Sequence, residues 1–296
     1  MSTFTIEETA VASELVKLAL AEDLGSQGDR TSLATIPAEV LATAAFAIRT
    51  PGVVAGLPAA ALVCAAVDSQ LRFDAKISDG SRAARGSIIA TVTGSLRSIL
   101  AAERTALNFL QHLSGVATLT RAFVDAVGSL PVLVLDTRKT IPGWRLLDKY
   151  AVRAGGGTNH RIGLYDAILI KDNHIAGQLA AAEPVRRTVE LARSYPGNAG
   201  LAVEVEVDSL AQLREVLPVQ PEIVLLDNMT NDQLRQAVTI RNDLSPGTRL
   251  EASGGVNLTT IRGIAETGVD RISVGAITHS APALDIGLDF LLPRQV

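Results

Sequence analysis

From residue 130 onward one rhythm recurs: PVLVLD, AILIKD, LAVEVEV, EIVLLDN, TRLEASGG and DRISVGA, each followed by a stretch with helical patterning. The runs are short and rich in Val, Ile and Leu, the composition of strands buried on both faces. Strands that alternate with helices predict a parallel sheet, because a parallel crossover needs a helix-length connection. Polar residues or glycine stand at the carboxyl end of every run: Asp136, Lys171, Glu206, Asp227, Ser253 and Gly275. In a (β/α) barrel those ends share one mouth, whereas a doubly wound sheet sets them along one crevice. Because such residues follow all the strands, including those that would lie outermost in an open sheet, the barrel is the expected arrangement.

The first part of the chain is patterned differently. Val11, Leu15, Leu18 and Leu20 predict an amphipathic helix over 9–21, closed by EDLGSQGDRTS. Residues 42–94 read as short strands (FAIRT, GVVAG, LRFDAKI, IIATVTG) around an alanine-rich helix at 57–67. A long helical stretch, SILAAERTALNFLQHLSGVATLTRAFVDAV, follows, and Gly115 within it predicts a break between two helices and a domain boundary. The domains expected are therefore 1–115 and a barrel domain from 116.

Composition bounds the function. With 47% hydrophobic residues the chain can build a sizeable core. No apolar run approaches the roughly 18 residues of a membrane span, and the acidic N-terminus lacks the basic and apolar regions of a signal peptide. A lone Cys64 in an apolar run excludes an internal disulfide and fits a reducing, cytoplasmic setting. The net charge of -4 argues against nucleic-acid and anionic-membrane partners, so an anionic ligand has to meet local positive charge.

That local charge lies between Asp136 and Lys171, where seven Lys or Arg face three acids, a net +4. Arg145, Lys149 and Arg153 recur at helical spacing and suit a solvated helix face. Arg138, Lys139, Arg161 and Lys171 sit at strand ends or in loops and point to a small anion. Arginine offers a planar two-pronged fork and lysine a point charge, so DTRKT suits a ligand with more than one anionic group, with an ion pair to Asp136 as the plain alternative. AGGGTNHR reads either as a phosphate-cradling loop or as a tight turn, with His160 and Arg161 beside it.

Lys171 ends the strand AILIK. Three roles fit it: a Schiff-base nucleophile, an anion anchor, or a structural partner of Asp172 or Glu206, and the neighbouring cations favour the anchor. Period-2 alternation in VEVEV puts Glu204 and Glu206 on one strand face. With Asp227 on the next strand they suit Mg²⁺ held through water, or stabilisation of a developing positive charge. The SGG of LEASGGV (Ser253, Gly254, Gly255) and the end of VGAITHS (Gly275, Ala276, His279) suit a phosphate site at the last strand ends.

In order, EDLG and GDRT near 22–31, AERTALNFLQHLSGVAT, DTRKT, AGGGTNHR, KDNH, EVEV, LLDN, SGG and VGAITHS resemble the quinolinate phosphoribosyltransferase family over nearly the full length. The resemblance implies a decarboxylating pentosyltransferase of NAD biosynthesis, which joins phosphoribosyl pyrophosphate to quinolinate and releases pyrophosphate, CO₂ and nicotinate mononucleotide. It implies an N-terminal α/β sandwich, completed by residues 280–296, joined to an open α/β barrel over 116–279. Quinolinate would be clamped by Arg138, His160, Arg161 and Lys171, with Arg104 reaching in from the second copy of a homodimer. Lys139, Glu206, Asp227, Ser253, Gly254, Gly255, Gly275, Ala276 and His279 would bind the sugar donor, and Lys139, Lys171, Glu206 and Asp227 would carry the chemistry. Mg²⁺ would arrive with the donor near Glu206 and Asp227, without a tight protein site. One departure stands out: Ile141 replaces the family's usual threonine before Pro142, which implies altered packing beside the clamp. Competing readings are a related, molybdenum-associated pyrophosphorylase acting on another acceptor, a Schiff-base aldolase using Lys171, and a barrel kept only as a binding protein.

Overall fold

A computed structural model describes residues 4–178, 180–198 and 200–291. The chain divides into two compact units. The first comprises the residues up to Arg121, Thr140–Gly156 and the segment from Ile277, and the second comprises Ala122–Lys139 and Gly157–Ala276.

In the first unit, helix α1 (Ile6–Leu24) starts at a capping box: the Thr5 hydroxyl accepts from the Glu8 N–H, and the Glu8 carboxylate accepts from the Thr5 N–H at 2.8 Å. Its buried stripe is Glu8, Ala12 and Val16, whereas Leu18 is 66% exposed. The helix therefore exists as expected but turns another face inward. The small Ala12 admits close packing on α3 (Leu57–Val67) and α5 (Arg145–Ala154), and Glu8 is buried because Arg153 pairs with it. Between α1 and α3 lies a short helix, α2 (Arg30–Thr35), whose first turn is capped by Asp29.

The sheet of this unit is antiparallel. Strand β1 (Leu41–Ile48) lies between the late strand Ile286–Phe290 and β5 (Ile88–Ser95), and β3 (Arg72–Ala75) follows β5 at the edge; β2 (Gly52–Val53) and β4 (Arg82–Ala83) form a separate pair. The C-terminal segment thus adds a strand to a sheet built from the N-terminal part; of the 280–296 expected there, 292–296 lie outside the described residues.

The break expected at Gly115 is absent. Helix α4 runs unbroken from Leu96 to Val127. Gly115 serves a close approach instead: a Cβ there would lie 2.2 Å from the Pro282 carbonyl oxygen. Nor does one cut divide the chain, since Thr140–Gly156 goes with the first unit, where His112 Nε2 meets the buried Asp148 Oδ1 at 2.6 Å and Trp144 stacks on Phe109 at 4.8 Å. Ile141, expected to change packing, is 45% exposed, and Trp144 does the packing in this stretch.

The second unit contains six parallel strands, β6 (Leu133–Leu135), β7 (Ile168–Ile170), β8 (Val203–Val207), β9 (Ile223–Asp227), β10 (Arg249–Ser253) and β11 (Arg271–Ser273). Their order is β6-β11-β10-β9-β8-β7, and Thr158 makes a parallel bridge to Leu135 beyond β6. All six expected strands are present, and because every pairing is parallel, their carboxyl ends share one side. Among the described residues β6 and β7 are not paired, so the sheet stays open. It is nonetheless curled. Four strand steps of about 4.8 Å would hold β6 roughly 19 Å from β8 in a flat sheet, yet His160, two residues beyond the bridge to β6, reaches Glu204 on β8 at 3.2 Å.

Candidate active site

Asp136 follows β6 and is fully buried. Its Oδ1 accepts the His160 backbone N–H at 2.8 Å and its Oδ2 accepts from Asn159 Nδ2 at 2.6 Å. The acid of DTRKT therefore ties the Asn-His-Arg triplet to the end of β6. This frees the adjacent Arg138 from the ion pair that was its plain alternative reading.

Arg138 and Arg161 stand close enough for their charges to interact. Burial, and then the Arg138 charge, push the Arg161 pKa down, while Glu204 and Asp166 act against that. Both are half-buried, and the Nε of each is buried without a hydrogen-bond partner among the described residues. Two like charges held side by side with buried donors are costly unless an anion meets them. The backbone beyond is rigid: Arg161 Nη1 donates to the Ala167 carbonyl at 3.1 Å, and the Ile162 and Gly163 N–H groups donate to Asp166.

His160 lies against Glu204 of β8 and Glu251 of β10. Its Nε2 is 3.2 Å from Glu204 Oε2 and 3.4 Å from Glu251 Oε1, and its Nδ1 accepts the Arg161 N–H at 2.7 Å. Burial opposes a charged ring, but the Glu204 and Glu251 carboxylates facing Nε2 outweigh it and raise the pKa to about 9. The Arg161 N–H pulls the other way, because it needs a lone pair on Nδ1, and that direct contact decides the arrangement at Nδ1. Both influences agree that Nε2 carries a proton. Both ring nitrogens of His160 face protein groups, and through Nδ1 the side chain holds the Arg161 backbone.

Lys171, just past β7, pairs with Glu206 of β8. His174 Nδ1 accepts the Lys171 N–H at 2.9 Å, which turns the chain into the helix Asp172–Ala176. Asp227 ends β9 in register with Ser253 of β10, and the Asn228 side-chain amide donates to Asp227 Oδ2 at 2.7 Å. Gly254 has φ +94° and would place a Cβ 2.1 Å from Asn228 Oδ1, so only glycine fits beside that amide. Gly275 and Ala276 follow β11, the neighbour of β10. Lys139 is exposed, with its N–H bonded to Thr137 Oγ1 at 3.0 Å. Arg104, exposed on α4, and His279, exposed with Nδ1 2.6 Å from Ser280 Oγ, belong to the first unit.

Two glycines of the run have packing duties of their own. Gly155 ends α5, where a Cβ would meet the Ala117 carbonyl oxygen at 2.5 Å, and Gly156 has φ +89° against the Arg121 guanidinium. Helix termination and close packing account for both. Missed from the sequence were Asp136 as a tether, Glu251 and Arg271. Glu251 lies two residues before Ser253, on the same strand face, and that spacing was the available signal. Its pairing with Arg271 comes from the β10–β11 register, which no local pattern reveals.

The fold and site define a class: an open parallel α/β barrel whose strand ends set fixed cations beside carboxylates, fit for a small ligand with several negative charges. The profile of the quinolinate phosphoribosyl transferase C-terminal domain matches residues 116–289, and that of the N-terminal domain matches residues 29–114. The chain is 45% identical to the nicotinate-nucleotide pyrophosphorylase [carboxylating] of Mycobacterium leprae, over 95% of this chain and 98% of that one. It is 41% identical to quinolinate phosphoribosyltransferase [decarboxylating] 1b of Nicotiana tabacum, over 93% and 81%. The solved nicotinate-nucleotide pyrophosphorylase of Francisella tularensis superposes with a TM-score of 0.87 at 39% identity, covering 95% of this chain and 96% of that one. That of Ehrlichia chaffeensis gives 0.85 at 38%, covering 94% and 98%. The chain belongs to the quinolinate phosphoribosyl transferase family. Among the described residues, no helix is long and apolar enough to cross a membrane.

Proposed function

We propose that the chain transfers the phosphoribosyl group of phosphoribosyl pyrophosphate to quinolinate, with release of pyrophosphate and CO₂, to give nicotinate mononucleotide for NAD synthesis. The observation that carries this reading is the Arg138–Arg161 pair, whose buried, unpartnered Nε–H groups suit a rigid dicarboxylate. Arg138 and Arg161 take the two carboxylates, His160 anchors Arg161, and Lys171 adds an ammonium at the neighbouring strand end. The ion pair of Lys171 with Glu206 favours this anchor role over an aldolase nucleophile, which needs an unpaired amine.

The pyridine nitrogen attacks C1 of the sugar as the C1–O bond to pyrophosphate breaks, and positive charge develops at C1. Glu206 and Asp227, at adjacent strand ends, stabilise that charge or receive the ribose hydroxyls in this reading, and Lys139 meets the departing pyrophosphate. The new ring is cationic. Loss of the adjacent carboxylate as CO₂ leaves its bonding electrons on the ring carbon next to nitrogen, and a proton taken up there completes the product. Positioning and fixed charge account for the rate, without a side-chain nucleophile.

Ser253, Gly254, Gly255, Gly275 and Ala276 receive the 5′-phosphate end. The donor set of Glu206 and Asp227, two hard carboxylates, fits Mg²⁺ carried largely by phosphate oxygens. Bound there, the ion would neutralise charge on the pyrophosphate. The exposed Arg104 completes the acceptor site of a second copy in a homodimer, and the compartment is the cytoplasm.

Incubation of purified protein with quinolinate, Mg²⁺ and labelled phosphoribosyl pyrophosphate tests the assignment. Stoichiometric nicotinate mononucleotide and CO₂ are expected, and the absence of both overturns it.

A further inference from the structure

The unexplained feature of the second unit is a surplus of buried acceptors. His160 Nε2–H is one donor, yet it faces two carboxylates, and Glu204 Oε1 and Glu251 Oε1 are buried without a hydrogen-bond partner among the described residues. Glu204 and Glu251 are 3% and 0% exposed. Unpaired buried carboxylate oxygens are costly and call for a reason.

A metal ion is one candidate, because a ligand atom from each of the three residues lies within 4.8 Å of the others. The ring geometry argues against it. A histidine that binds metal through Nε2 presents a lone pair there and a donor N–H at Nδ1. Here the Arg161 N–H donates into Nδ1, so the proton sits on Nε2 and blocks ligation. The cluster is therefore built around a proton.

Behind it the chain continues outward. Glu251 Oε2 accepts from Arg271 Nε at 2.7 Å. Arg271 and Glu251 lie opposite each other in the β10–β11 register, so the contact is held by the backbone pairing itself. On the other side, the His160 N–H is held by Asp136, and the next N–H, that of Arg161, is held by the imidazole. A turned or tautomerised ring would release that N–H and with it the start of the Arg161 side chain.

We propose that Glu251, backed by Arg271, and Glu204 are positioning residues that keep the proton of His160 on Nε2 and thereby aim Arg161 at the acceptor. The proposal rests on the functional reading above for the identity of the acceptor, but not for the state of the ring. Neither carboxylate touches substrate in this scheme. Their effect falls on acceptor recognition, since Lys171, Glu206 and Asp227 keep their own contacts.

Glu251→Gln tests it. The amide oxygen must turn to Arg271, which leaves the amide N–H group facing Nε2 and drives the imidazole proton to Nδ1. With ¹⁵N-histidine labelling, the expected result is an exchange of the protonated and unprotonated nitrogen signals of His160, assigned by comparison with His160→Gln. Kinetically, KM for quinolinate should rise roughly 10-fold or more, the order of a lost hydrogen bond to a charged group, with KM for phosphoribosyl pyrophosphate and kcat changed less than about 3-fold. If Glu251→Gln does not yield folded protein, Glu204→Met carries the test, because it removes the closer acceptor of the Nε2–H group and should shift the same nitrogen signals. An unmoved nitrogen spectrum, or equal changes in both KM values, overturns the positioning chain. Stoichiometric Zn²⁺ or Mn²⁺ retained by the wild type on dialysis and lost in Glu251→Gln also overturns it, in favour of a metal site. A wild type that makes no product sinks the functional reading instead, and the nitrogen spectrum still decides the state of the ring.

Discussion

Arg161 differs from its neighbours in having the planar fork, the buried Nε and the rigid backbone anchor together. Lysine would keep the charge but lose the two-pronged geometry. Arg161→Lys should therefore lower kcat/KM for quinolinate by roughly 10- to 150-fold, as expected if a charge-assisted hydrogen bond of about 1.5–3 kcal/mol is lost, while thermal stability stays near wild type. Steady-state kinetics with each substrate varied in turn checks this. At this scale the charged residues were legible, because cations at strand ends have no packing duty. The role of His160 was not, since the partners of its ring come from β8 and β10, remote in sequence.

Helix ends show how far a local pattern carries. Asp29 caps α2, accepting from the Thr31 and Ser32 N–H groups and the Ser32 hydroxyl, and its pKa is lowered by the Ser32 side chain first and by backbone N–H bonds, against a small effect of burial. A carboxyl whose folded pKa is depressed adds stability above its unfolded value, near 3.9, and loses it as pH falls through the folded value. Asp29→Asn should thus lower the urea midpoint at pH 7, and the gap to wild type should shrink as pH drops below about 4. Equal gaps at pH 7 and pH 3 would remove the charge from the explanation.

Gly115 is the opposite case, a local signal with a tertiary cause. Alanine gains roughly 0.8–1 kcal/mol of helix propensity over glycine, yet its Cβ would collide with the Pro282 carbonyl oxygen. Overpacking costs roughly 1–3 kcal/mol, so Gly115→Ala should be destabilising on balance, with a lower urea midpoint. A higher midpoint would remove the close-approach reading. The same logic corrects α1, where leucine spacing marked the helix but Ala12 and Val16 mark its buried face.

At the scale of the whole molecule, the shared site makes a prediction about mixtures. Arg104→Ala and Arg138→Ala should each be inactive as homodimers. Mixed dimers contain one site with both arginines intact, so up to about half of the dimers in an equal mixture regain one site if subunits exchange freely. Activity assayed after refolding the two variants together checks this, with size-exclusion chromatography to verify the dimers. No recovery in verified mixed dimers would remove Arg104 from the partner's site.

By itself the sequence determined the alternation of strand and helix, the parallel sheet with its polar ends on one side, the cationic character of those ends and the family. These follow from period, composition and order, which are local properties. Tertiary structure alone decided which glycines terminate helices, that α4 is continuous, and that Thr140–Gly156 joins the first unit. It alone also brought Glu251 beside Arg271 through strand register and His160 onto Glu204 through the curl of the sheet. Register and curvature are settled by packing across the whole unit, and no spacing along the chain encodes which side chains they bring together.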